Sequence, residues 1–234
     1  MMAGVSTIAG QIVVITAAYF IGAFPHLLLL ARVHRLSTAG DLHIALWQKA
    51  GPRWGLLATS IDVLKGIITI VIARHLGFDA GTVVISALAV TCGQMWPVFK
   101  RFDGEKGNTT GFGAAVALAA VPTLVSLIPV FTAIGLKAAR AIRLKDIPSN
   151  ERFKTGAGQS ATLPLGVALA FLVLPLIAEA LGEPPEIVNG FAALFGLIML
   201  RRLTAGLFRD LASGASRWKI FWYRLLLDRP VIHP

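Results

Sequence analysis

Between positions 93 and 113 the chain reads Gly-Gln-Met-Trp-Pro-Val-Phe-Lys-Arg-Phe-Asp-Gly-Glu-Lys-Gly-Asn-Thr-Thr-Gly-Phe-Gly. Lys106 stands between Gly104 and Gly107, and Asn108, Thr109 and Thr110 follow where an apolar run, and so a helix, is expected to begin. Glycine lets a backbone turn tightly and bring its N–H groups forward. A helix N-terminus with free N–H groups and a lysine beside it attracts anions, phosphate above all. Alone, Gly-x-Lys-Gly reads equally well as a polar loop between two membrane helices, its cations serving only to set topology.

Other polar residues sit inside apolar runs. Asp62 and Lys65 of Asp62-Val-Leu-Lys-Gly66 are three apart, so they share a helix face and can pair. Ionisable groups inside a span are costly and point to function; the plainer alternative is a neutral pair that stabilises packing. Arg32 closes the first apolar run, either as a site cation or as a snorkelling topology marker. Pro25 is expected to kink that run and make room for a polar pocket. Ser160 and Thr162 are placed to cap a helix or to reach a headgroup. The five histidines show no metal spacing, and the single cysteine, Cys92, excludes an internal disulfide and a cysteine metal cage. No metal and no cofactor is expected. With no Gly-x-Ser-x-Gly elbow and no Ser/His/Asp set, a lipase or serine protease has no support.

The elements that carry these residues are read from composition. Hydrophobic residues make up 56% of the 234 and charged residues 15%, and the mean hydropathy is +0.72. That is the composition of an all-α polytopic membrane protein. The first charged side chain is Arg32, so the opening run lacks the basic flank of a cleaved signal and is expected to be a retained helix. Seven apolar segments are predicted, over 8–31, 56–73, 83–99, 110–120, 123–136, 161–181 and 187–200. The fourth and fifth are short and offer an alternative as one bent helix, which would leave six spans. Charge decides between the two readings. Of 22 Lys and Arg, four lie in 32–54, three in 100–106, six in 137–154 and seven from 201 onward. Seven spans put all four clusters on one face, cytoplasmic by the positive-inside rule, with the N-terminus outside. The net charge of +10 is then explained by topology and anionic lipid, and no nucleic-acid partner is expected. Residues 1–215 form the membrane domain. Residues 216–234, where aromatic and basic residues alternate, form an interfacial tail.

Taken in order, these features resemble the bacterial integral-membrane acyl-phosphate:glycerol-3-phosphate acyltransferases over nearly the whole chain. Gly22-Ala-Phe-Pro25 through Arg32 is similar to the family's opening motif, and Asp62 to Gly66 keeps its Asp-x-x-Lys-Gly. The long motif is matched by Gly93, Pro97, Phe99, Phe102, Gly104 and Lys106-Gly107; Gln94 stands for its histidine, Asp103 for a lysine and Glu105 for a glycine. Gln159-Ser-Ala-Thr162 and the run from Arg201 to Gly214 resemble its later motifs. The first-loop signature is replaced by Ser37-Thr-Ala-Gly-Asp-Leu-His-Ile-Ala45, where Thr38 or Gly40 stands in.

The resemblance implies seven membrane helices in the inner or plasma membrane, with a site facing the cytoplasm. It implies transfer of a fatty acyl group from acyl phosphate to glycerol 3-phosphate, a step of phospholipid biosynthesis. Arg32, Lys65 and Lys106 are the expected catalytic cations. Thr38, Asp62, Gln94, Gly104, Gly107, Asn108 and Ser160 are the expected substrate-binding residues. His43 comes nearest to a general base, and the acceptor's own phosphate is the alternative. Asp103 and Glu105 oppose a bound dianion unless Lys100, Arg101 or Lys106 pairs with them. Two other readings stay open. One is an inactive paralogue that binds lipid or a partner, and the other is a small anion transporter, although no inverted repeat is visible.

Overall fold

The computed structural model describes residues 7–37, 41–143, 162–212 and 214–228, and every regular element among them is helical. α1 (Ile8–Ala23) and α2 (His26–Val33) are one apolar run broken at Phe24-Pro25, since proline lacks the N–H that would continue the ladder. A short α3 (Leu42–Ala45) continues into one π turn (Leu46–Ala50) and then into the long α4 (Pro52–His75). α5 (Ala80–Met95) is followed by a single 3₁₀ turn (Val98–Lys100) and by α6 (Asn108–Leu118), α7 (Ala120–Ser126) and α8 (Ile128–Arg143). α9 (Thr162–Ala180), α10 (Pro185–Thr204), α11 (Leu207–Leu211) and α12 (Arg217–Leu227) complete the order.

Six stretches of the described residues are long and apolar enough to cross a membrane: Ile8–Val33, Pro52–His75, Ala80–Lys100, Ala120–Ala139, Thr162–Ala180 and Pro185–Thr204. The segment expected over 110–120 is α6, with 11 residues. At 1.5 Å per residue it covers about 16 Å, roughly half a hydrocarbon core. It does not merge with the next segment, because Ala119 is extended (φ −150°) between α6 and α7.

Two close crossings, each built on a pair of glycines, set the frame. A Cβ on Gly22 would lie 1.9 Å from Val90 O, and one on Gly93 would lie 2.0 Å from Tyr19 O, so α1 and α5 touch backbone to backbone. Gly66 meets Thr110 O and Gly113 meets Val63 O in the same manner, at 2.4 and 2.2 Å, which clamps α4 onto α6. In a membrane, where burying apolar surface between helices brings little, such small-residue contacts hold a bundle together. Arg74 seals the far end of α6 by donating to Ala117 O and Leu118 O, each at 2.7 Å, where a helix leaves carbonyls unpaired.

Gln11 Nε2 donates to Asp79 Oδ2 at 3.1 Å, so the starts of α1 and α5 share one end of the bundle. Arg201, in the last turn of α10, meets the 103–105 turn at the opposite end. The first and last long helices therefore begin and finish at opposite ends.

Candidate active site

Asp62 is the hub of a cluster drawn from four elements. It is fully buried on α4. Its Oδ2 accepts from His43 Nε2 at 2.7 Å and from Thr109 Oγ1 at 3.3 Å. Its Oδ1 faces His26 Nε2 at 3.2 Å and Lys65 Nζ at 3.7 Å. Gly66 makes this possible: without a side chain there, the first turn of α6 comes close enough for Thr109 to reach Asp62. His43 is brought in by α3. Asp41 caps that helix by accepting from Ile44 N at 3.1 Å, and Leu42 and Leu46 bury themselves in the bundle. Burial opposes a charge on His43, but the hydrogen bond and charge of Asp62, aided by Glu105 and Asp41, outweigh it and raise its pKa above that of ordinary imidazole.

Lys65 is saturated. Its ammonium donates to Gly22 O at 3.2 Å, Phe24 O at 2.8 Å and Gln94 Oε1 at 3.1 Å. The break at Pro25 leaves Gly22 O without its helical partner, and the buried lysine supplies one. In this structure Lys65, an expected catalytic cation, spends its three protons joining α1, α4 and α5. Gln94, in the position of the motif histidine, accepts one of them.

The 96–107 turn is fixed from below. Gly104 N donates to Met95 O and Glu105 N to Gln94 O, both at 3.1 Å. The N–H of Gly104, an expected substrate-binding residue, is thus occupied within the turn, and the glycine serves a close approach, with a Cβ only 2.3 Å from Gln94 O. Gly107 holds φ +74° and starts α6, as the sequence predicts. Asn108 begins that helix, and its Oδ1 is buried without a partner. The acids of the turn are paired: Glu105 faces Lys100 at 3.4 Å and Asp103 faces Arg201 at 3.2 Å. Burial pushes the Glu105 carboxyl up, and Lys100 offsets part of that shift. Arg201 also donates from Nε to Glu105 O at 3.2 Å, so one buried guanidinium staples the whole turn.

Lys106 keeps 40% of its side chain exposed and sits between Asp228 Oδ2 at 2.9 Å and Asp41 Oδ2 at 3.7 Å. Burial of its inner part opposes the charge, but the two carboxylates prevail and raise its pKa above the ordinary lysine value. Asp228 ends α12, which docks onto the bundle: Ile220 and Arg224 are buried, and Arg224 pairs with Asp210 at 2.8 Å. Arg202 helps to hold α12 by donating to Leu225 O at 3.2 Å and Pro164 O at 3.0 Å.

Two hollows meet at Phe24. An apolar groove of about 480 Å³ is lined by Ala17, Phe20, Ile21, Phe24, Ile61 and Lys65. A narrower recess behind it runs from Phe24 and Leu27 to Gln94, Lys100 and Glu105.

Asp62, Lys65, Gln94, Gly104, Lys106, Gly107 and Asn108 of the expected site thus come together around one turn. Arg32 does not: it is exposed on α2, and among the described residues no side-chain contact ties it to the cluster. Thr38 and Ser160 lie outside the described residues. Sequence reasoning missed His26, Thr109, Arg201 and Asp228, and offered His43 as nearest to a general base without its place beside Asp62. The available signal was Asp41-Leu-His-Ile44, a capped helix start with apolar residues at 42 and 46.

The family model for glycerol-3-phosphate acyltransferase matches residues 12–207. A relative named glycerol-3-phosphate acyltransferase 4, from Dehalococcoides mccartyi (strain CBDB1), is 28% identical over 232 residues, covering 94% of this chain and 89% of that protein. A glycerol-3-phosphate acyltransferase of Geotalea daltonii is 36% identical over 130 residues, covering 53% of this chain and 67% of that one. The crystal structure of PlsY, described as an integral membrane glycerol 3-phosphate acyltransferase in its lysphosphatidic acid form, aligns with a TM-score of 0.66 at 22% identity. The alignment covers 88% of this chain and 94% of that one. With the family matched over most of its length and the fold shared with an integral membrane protein, this all-α, multi-pass chain belongs to the glycerol-3-phosphate acyltransferase family.

Proposed function

We propose that the protein transfers a fatty acyl group from acyl phosphate to the 1-hydroxyl of glycerol 3-phosphate, yielding lysophosphatidate and inorganic phosphate for phospholipid synthesis. The observation that carries this reading is the junction of an apolar groove with a glycine-framed turn that carries Lys100 and Lys106. An amphiphilic donor fits such a junction, its tail in the groove and its phosphate at the turn. Lys106, half open to water, takes the acceptor phosphate in exchange for Asp228 and Asp41. The unpartnered Asn108 Oδ1 accepts from an acceptor hydroxyl. An acyl phosphate is already activated, so holding hydroxyl and carbonyl in line supplies much of the rate. The test is phosphate release from acyl phosphate by the full chain in lipid vesicles, with and without glycerol 3-phosphate. Release that depends on the acceptor is expected, and no release in either case refutes the reading.

The site faces the cytoplasm of the inner or plasma membrane, with seven crossings, the N-terminus outside and the C-terminus inside. Support comes from the opposite placement of Gln11 and Arg201 and from Lys100, Arg101 and Lys106, which lie in or beside the turn that Arg201 holds. Short α6 supplies the odd crossing together with the turn before it. Residues 216–234 serve as an interfacial tail; Trp218, 68% exposed on α12, is its anchor to lipid. A reporter placed after Leu181 should lie outside and one at Pro148 inside; two reporters on the same side would overturn the topology.

A further inference from the structure

We infer that α12 is a built-in competitor for phosphate. It holds Asp228 in the anion position at Lys106, so a phosphate bound there, first the acceptor's and then the product's, is exchanged against the chain's own carboxylate. This rests on the acyltransferase reading above and extends it from binding to release.

The helix is anchored without the help of Asp228. Ile220 and Arg224, four apart and so on one face of α12, are buried. Arg224 Nε donates to Asp210 Oδ2 at 2.8 Å, its Nη2 lies 2.8 Å from the same oxygen, and its Nη1 donates to Ala205 O. Arg202 holds the next residue by donating to Leu225 O at 3.2 Å. One turn on, Asp228 leaves the helix at φ +51°, its N–H still on Arg224 O at 3.1 Å. Its carboxylate, 10% exposed, is left for Lys106 Nζ at 2.9 Å.

The position it fills suits an anion. The charges of Lys106 and of the buried Arg202 both reach Asp228, and Arg202 Nε has no hydrogen-bond partner among the described residues. With Asp228 in place, these two cations face two carboxylates, Asp228 and Asp41. With Asp228 displaced, one positive charge is left over. A phosphate monoester, carrying roughly −1.5 to −2 at pH 7, answers it more strongly than a carboxylate does.

The use of a competitor follows from the product. Lysophosphatidate keeps the acceptor's phosphate and gains the acyl chain that the apolar groove takes, so it is held at two places where the acceptor is held at one. A group on a short tether competes at an effective concentration of roughly millimolar without having to diffuse in. Each time the product phosphate loosens, Asp228 is already beside Lys106 and takes its place. The contact thus weakens acceptor and product alike, and it matters more for the product.

Two measurements on the full-length protein in lipid vesicles test this. The first follows hydrogen exchange of the amides of 225–228 as inorganic phosphate or glycerol 3-phosphate is added, against potassium chloride of equal ionic strength. A partly exposed ion pair sets the range, so these amides should exchange about two- to fivefold faster at saturating phosphate and stay unchanged in the chloride. Asp228→Asn and Lys106→Gln should both exchange at the faster rate from the start and ignore phosphate. The second measures initial rates of lysophosphatidate formation with lysophosphatidate added as inhibitor. Asp228→Asn should lower KM for glycerol 3-phosphate and the inhibition constant of lysophosphatidate by the same factor, about two- to fivefold, with kcat unchanged. Asp228→Glu should restore both. Wild-type amides that do not respond to phosphate would overturn the inference, and so would an Asp228→Asn protein inhibited by product as weakly as wild type. A wild type that forms no lysophosphatidate would sink the function reading, whereas the exchange response to phosphate decides the competitor separately.

Discussion

Replacing Gly66 by alanine tests whether the crossing of α4 and α6 builds the site. The new methyl would lie 2.4 Å from both Thr110 O and Ala114 N, whereas ordinary contact begins at 3.4 Å, so the helices must part by 3.4 − 2.4 = 1.0 Å. Both obstacles are backbone atoms, so no side chain can swing aside. Overpacking of this kind costs about 1–3 kcal/mol, roughly several degrees in melting temperature for a chain of this size. The same displacement draws Thr109 away from Asp62, from which it is now 3.3 Å distant. Misplacing a reacting geometry by about 1 Å costs roughly 100-fold in rate. Gly135→Ala is the control, because a methyl there meets nothing within 4 Å. Tryptophan fluorescence during heating in detergent reads the stability, and initial rates of acceptor-dependent phosphate release read the site. If Gly66→Ala melts and turns over as Gly135→Ala does, the crossing does not position the site and the reasoning fails.

Asp228→Asn frees Lys106 from its nearer carboxylate. A partly exposed pair is worth about 0.2–1 kcal/mol, so KM for glycerol 3-phosphate should fall about two- to fivefold while kcat holds; steady-state kinetics will show it. Arg201→Ala removes the staple of the 103–105 turn and should lower both melting temperature and turnover, whereas Asp103→Asn, at an 83% exposed side chain, should change neither by much. His43 binds its proton more tightly in the folded chain than in the unfolded one. The stability it contributes is therefore full below its ordinary pKa of 6.5 and is lost as pH rises through the raised folded value. Melting curves between about pH 6 and 8 should show this slope in wild type and lose it in His43→Gln.

The membrane class, the helical order and the turn around Lys106 were all legible in the sequence, because apolar runs, glycine pairs and charge clusters are local signals. The partners of each ionisable group were not. Asp62 and Lys65 look like a self-contained pair at their spacing of three, yet they stand 3.7 Å apart, and each is bound more closely by groups from other helices. Asp103 and Glu105 read as repulsive beside a phosphate because Arg201, nearly a hundred positions on, gives no local sign of reaching back to them. The contact of His43 with Asp62 is hidden for another reason: Leu42 and Leu46 fold a short helix back into the bundle, and in the sequence only the capping aspartate hints at it.

The contact between Lys65 and the carbonyls at the Pro25 break also bears on how this sequence can drift. Losing Lys65 alone strands Gly22 O in the interior and takes from Phe24 O one of its donors. Restoring a regular helix at position 25 alone closes the ladder over the place the ammonium occupies. Each change is harmful by itself and is excused by the other, so the two positions are epistatic: relatives should be found with both features or with neither, and a chimera that exchanges only the first helix should fail where one exchanging the first and the fourth succeeds.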